Sequence, residues 1–108
     1  ALHDAHHGLL NAVLMPSVAR FNAAAVEDKL SLLARFLDLP GAAGPDAVIA
    51  WIGTLREEIG LPSTLTAAGL TGIDRDRVAA MGVTDPSAAG NPVPLDRAGL
   101  RSILDAAI

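Results

Sequence analysis

The chain has no cysteine and no tyrosine, only 3% aromatic residues (one Trp, two Phe), and no run of basic residues. Each absence closes a class. Without cysteine there are no disulfides and no thiolate metal sites, which fits a reducing compartment. Seven of the eight basic residues are arginines, scattered along a chain of net charge −4. That distribution offers neither the basic stripe that nucleic-acid binding needs nor a polybasic segment for an anionic membrane. The apolar runs are short and interrupted, far below the roughly 20 residues of a membrane span. No signal-peptide pattern follows Ala1.

What is present is aliphatic. The 108 residues are 51% hydrophobic with a mean hydropathy of +0.40, enough for one small domain with a core of Leu, Ile, Val and Ala. Ala and Leu are also the strongest helix formers. There is no internal repeat, and no segment alternates apolar and polar residues for long. Ala47–Ile52 is the best strand candidate, but it sits inside a longer helical pattern.

Glycine and proline divide the chain into helical stretches. The first is expected from about His7 to Phe21, where Leu10, Val13, Leu14, Val18 and Phe21 recur at helical spacing. Pro16 falls inside it and predicts a kink or break. The second covers about Ala25 to Leu37, with a stripe of Val26, Leu30, Leu33 and Leu37 broadened by Leu32 and Phe36, and stops at Pro40-Gly41. The third starts at Pro45, a good first helical residue, and stops at Gly60; Val48, Ile49, Ile52, Leu55 and Ile59 form its apolar face, flanked by Trp51. A short helical turn follows near Leu65–Ala68, then a brief helix capped by Asp74 and running through Met81. Thr84 to Pro94 is rich in turn formers and reads as a loop. The last helix, about Asp96 to Ala107, carries Leu100, Ile103, Leu104 and Ala107 on one face. The fold class expected is all-α: about five to six short helices around an aliphatic core, with Phe21 and Trp51 in that core.

All three histidines lie in Ala-Leu-His3-Asp4-Ala-His6-His7-Gly8. Imidazole and carboxylate are common ligands of divalent first-row metals. On a helix, His3 and His7 would share a face, as would His7 and Asn11. A solvated chain start accounts for the same pattern, and Asp4 could simply cap the helix. The remaining carboxylates are spread among Arg and Lys at surface positions, so a site of three or four ligands cannot be completed here. The position of this cluster at the chain start suggests that the other half of the site lies upstream.

The stretch His6-His7-Gly8-Leu9-Leu10-Asn11-Ala12-Val13-Leu14-Met15-Pro16-Ser17-Val18-Ala19-Arg20-Phe21-Asn22 resembles the segment of iron-containing alcohol dehydrogenases in which a metal-binding histidine precedes Gly. There it is followed by Asn-Ala, an apolar pair, Pro, and Phe-Asn. Later stretches resemble the same family in the same order: Gly60-Leu61-Pro62 with Leu65 and Gly69, Asp85 with Asn91-Pro92, and the closing helix through Ile103-Leu104-Asp105-Ala106-Ala107. The resemblance spans essentially all 108 residues.

The resemblance implies that residues 1–108 are the helical, metal-binding C-terminal domain of a longer cytoplasmic oxidoreductase. His7 matches the family's last metal ligand; the others, an aspartate and two histidines, would lie upstream. The metal would be iron, or zinc. NAD or NADP would be bound by a Rossmann-like domain, since no glycine-rich phosphate loop occurs here. The partners implied are a small alcohol or aldehyde, the remainder of the enzyme chain and, in some members, a second subunit. Neither His3 nor His6 matches a ligand position. Ser17 stands where many members have His, Val93 where Arg often follows Asn-Pro, and Val78 to Asp85 looks shorter than usual. Two other readings compete: a free-standing helical binding or dimerisation module, and a self-contained metal site of His3, His6 and His7.

Overall fold

A computed structural model describes residues 6–39 and 44–108. His3, Asp4 and the expected stop at Pro40-Gly41 lie outside the described residues. Five α-helices follow one another: α1 His7–Asn22, α2 Glu27–Phe36, α3 Pro45–Glu58, α4 Arg75–Val83 and α5 Arg97–Ala106. A 3-10 turn, Pro86–Gly90, sits between α4 and α5, and there is no strand among the described residues. The all-α class is as the sequence implies.

The helix ends follow local chemistry. Asp74 and Asp96 each place a side-chain oxygen on a backbone N–H three residues on, at 3.1 and 2.7 Å, and so satisfy donors that the first turn leaves unpaired. Pro45 opens α3. Gly60, at φ +77°, turns the chain out of α3, while the N–H of Leu61 reaches back to Arg56. Asp38 takes the same left-handed position after α2, at φ 52°, with Leu39 N–H on the carbonyl of Ala34. Residues 65–69 make a single turn rather than a helix, closed by Ala68 N–H on Thr64 and Leu70 N–H on Leu65.

Of the kink or break expected at Pro16, the break does not occur: α1 runs through it from His7 to Asn22. The ring removes one hydrogen bond, to the carbonyl of Ala12, but Pro16 is buried, and packing on that face holds the helix together across the gap. The stripe on α2 is not core either. Ala34 is its buried residue, whereas Leu32, Leu33 and Leu37 are exposed and Phe36 is 85% exposed. Periodicity reports which face is apolar, not what covers it, and among the helices α2 packs mainly on α3. Leu55, Ile59 and Trp51 on α3 are likewise exposed, and Phe21 is half-buried.

The core forms where α1, α4 and α5 converge on the turn after Gly60. Val13, Leu65, Ala79, Leu104 and Ala107 are buried together, and Leu10, Leu14, Leu70, Ile73 and Leu100 pack around them. A backbone hydrogen bond of 2.7 Å from Leu65 N–H to the carbonyl of Ala107 ties the turn to the end of α5. At the other end of α1, the side-chain amides of Asn22 and Asn91 hydrogen-bond to each other in both directions, at 2.9 and 2.7 Å, and Asn91 also donates to the carbonyl of Val93 at 2.6 Å. Each asparagine thus satisfies a buried or half-buried amide with its mirror image, and the loop before α5 is pinned to α1. Next to it, Gly99 lets the Phe21 ring come close: a Cβ there would lie 2.9 Å from Phe21 Cζ.

Candidate metal-ligating helix start

His7 is the first residue of α1, and its side chain is exposed. Nothing among the described residues hydrogen-bonds to its imidazole. A helix start carries a partial positive charge from its unpaired N–H groups, which opposes a cation unless an anion is nearby. The first turn of α1 holds no acidic residue. A cation bound at His7 would need further ligands beyond those the described residues offer.

His6 has a different role, which sequence reasoning missed. It is the N-cap of α1, with extended backbone (φ −63°, ψ 121°), and its Nδ1 accepts the N–H of Leu9 at 3.3 Å. The cap position is thus filled by His6, not by Asp4. The signal was available: a side chain with an acceptor immediately before the first helical residue. The expected sharing of a face by His3 and His7 falls on His3, outside the described residues.

Gly8 belongs to this cap. A Cβ on it would meet the His6 ring at 3.2 Å from Cε1 and 3.4 Å from Nδ1. The missing side chain gives room for the imidazole to fold back on the helix. Asn11, one turn on, is exposed on the same face.

The donor set fits one ligand and not a whole site. Among the described residues there is no group of three or more His, Cys or acidic side chains placed to hold a metal ion. Of a self-contained trio of His3, His6 and His7, the first lies outside the described residues and the second is engaged as a cap. Ser17, at the position where a histidine is common in the resembled family, is buried and lines a cleft between α1 and α3. Val93 contributes its backbone carbonyl to the Asn91 amide rather than a charge. No described helix is long and apolar enough to cross a membrane.

Comparison with known proteins agrees with the motif. The C-terminal model of the Fe-containing alcohol dehydrogenase family matches residues 1–108. The chain is 36% identical over 96 residues to 1,3-propanediol dehydrogenase of Citrobacter freundii, covering 84% of this chain and 25% of that protein. It is 36% identical over 104 residues to 4-hydroxybutyrate dehydrogenase of Cupriavidus necator, covering 93% and 26%. With lactaldehyde reductase of Escherichia coli K12 it shares 27% identity over 97 residues, covering 85% and 25%. It thus spans about a quarter of the length of the curated relatives it matches. No solved structure matches.

Proposed function

The chain belongs to the Fe-containing alcohol dehydrogenase family, and from that membership we propose that it serves as the helical C-terminal domain of a longer cytoplasmic, NAD(P)-dependent alcohol dehydrogenase. In this reading His7 gives one imidazole nitrogen to a divalent cation, iron or zinc, whose other ligands come from the rest of the polypeptide. The observation that carries the reading is the start of α1: an exposed imidazole on the first helical residue, backed by a glycine and a histidine cap, inside a family match over the whole chain.

When bound, such a cation supplies Lewis-acid polarisation of an alcohol or carbonyl oxygen, favouring hydride exchange with a nicotinamide held by an α/β domain. The work of this chain is to place the donor. The long α1 is anchored at one end by the Asn22–Asn91 amide pair and in its middle by Val13, which is 1% exposed. The His6 cap fixes the first turn. His7 therefore sits on a rigid element, as a ligand position requires. The substrate is a small alcohol or aldehyde of the type named in the relatives, with NAD or NADP as the partner redox cofactor.

The test compares wild type with His7→Ala in the longer polypeptide. The expected result is loss of stoichiometric iron or zinc and of alcohol-dependent NAD(P) reduction, with helicity unchanged. Residues 1–108 alone should show no dehydrogenase activity. Full activity of His7→Ala would remove the ligand role, and activity of residues 1–108 alone would remove the need for a second part.

A further inference from the structure

The arginines look scattered in the sequence, yet two of them line one cleft. Arg20 lies in the last turn of α1 and Arg56 in the last turn of α3. Both line one cleft of about 420 Å³ between these helices, together with the hydroxyls of Ser17 and Ser63. A place near a helix C-terminus suits a cation through the helix dipole, but that explains neither why the two share a cleft nor the state of Arg56. Its Nε is shielded from solvent and has no hydrogen-bond partner. A guanidinium is always charged and has only donors, so a shielded N–H of this kind requires an acceptor.

The described residues do not supply one. Among the described residues the ion pairs are Arg75–Asp105, Arg101–Asp76 and Arg101–Asp105; neither Arg20 nor Arg56 takes part. Asp46 is the acidic residue lining the cleft, but it sits in the first turn of α3, ten residues before Arg56 and so about 15 Å away along the helix axis. Its charge lies at the far end of the cleft, where it disfavours a ligand with negative charge at both ends. A smaller cavity of about 140 Å³ shares Ser17 and Arg20 and adds Ser102 to its lining.

We propose that the Arg20–Arg56 cleft binds a single oxyanion group, a phosphate or a carboxylate, held by the two guanidiniums with Ser17 and Ser63 as additional donors. Charge-assisted bonds from a pair of arginines match the planar or tetrahedral oxygens of such a group. The site is separate from the His7 end of α1 and does not depend on the metal reading.

The test is a titration of inorganic phosphate, and separately of acetate, into the 108-residue chain in a buffer of weakly coordinating anions, followed by amide chemical shifts. Saturable shifts centred on Ser17, Arg20, Arg56 and Ser63 are expected. Arg56→Gln and Arg20→Gln should each weaken binding by about tenfold or more, while Asp46→Asn should tighten it. Arg77→Gln, an equal charge change on exposed α4 outside the cleft, should leave it unaltered. Arg56→Lys keeps the charge but not the fork, and should fall between wild type and Arg56→Gln; far-UV circular dichroism checks that each variant is folded. No saturable shifts up to tens of millimolar, or equal weakening by Arg77→Gln and Arg56→Gln, would overturn the proposal. Repeating the titration on the longer polypeptide separates the two sources of the oxyanion. Persistent phosphate binding identifies a free ligand. Its absence there, with Arg56→Gln still lowering stability, identifies an acidic side chain of the same polypeptide.

Discussion

Replacing Asn91 with alanine removes three hydrogen bonds at once: two shared with Asn22 and one to the carbonyl of Val93. The loss falls unevenly. Asn22 is 8% exposed, so both ends of its amide are left without partners in a site that water reaches poorly. Unsatisfied buried polar groups cost about 1–3 kcal/mol each, and the half-exposed remainder regains water, so Asn91→Ala should destabilise by about 2–4 kcal/mol. Asn22→Ala leaves Asn91 half-buried and still bonded to Val93, and should cost less, about 1–2 kcal/mol. Because the two changes break the same pair, the double variant should fall short of the sum by about 1–2 kcal/mol. Urea unfolding of the 108-residue chain, followed by helical circular dichroism, gives these values from the midpoints, provided the slope is constant across the four proteins. Additive effects would refute the reciprocal pair, as would an Asn91→Ala midpoint equal to that of wild type.

Two further perturbations test the same framework. Gly99→Ala should destabilise by about 1–2 kcal/mol even though alanine is the better helix former, because the new Cβ would meet Phe21 Cζ at 2.9 Å and the capping oxygen of Asp96 at 3.2 Å; thermal unfolding is the check, and a raised Tm would contradict the contact. The Asp105 carboxyl is held below its ordinary value of 3.8, chiefly by its hydrogen bond from Arg101 and further by Arg75. A depressed carboxyl contributes stability above its unfolded value and loses it as pH falls through the folded one. Asp105→Asn should therefore melt below wild type at neutral pH, and the gap should close below pH 3.8 and shrink in high salt.

How far the sequence could be read depended on whether the signal was local. Asp74, Asp96, Pro45 and Gly60 mark helix ends through their own side chains or backbone freedom, and the structure uses all four. Pro16 does not end α1 because its cost is local while its compensation is tertiary: burial of the surrounding face of α1 carries the helix through. The α2 stripe misled for the opposite reason, since Leu32 and Phe36 are apolar at helical spacing but none of the described residues covers them. Asn22 and Asn91 were both visible as parts of motifs, but their pairing across 69 positions was not. Arg20 and Arg56 gave no sequence signal at all, because the cleft exists only once α1 lies on α3. At the helix start, a glycine-backed histidine was legible through its motif; the capping role of His6 needed the backbone geometry.

The exposure of His7 makes the central claim open to a clean measurement. An exposed first-turn residue with no partner among the described residues can be replaced with an effect within about 0.5 kcal/mol on stability, so loss of metal is separable from loss of fold. Metal content of the longer polypeptide, determined by elemental analysis for wild type and His7→Ala at matched helicity, is the direct test. The account predicts about one bound iron or zinc per chain in wild type and a substoichiometric amount in the variant. Equal, stoichiometric metal in both proteins would contradict it.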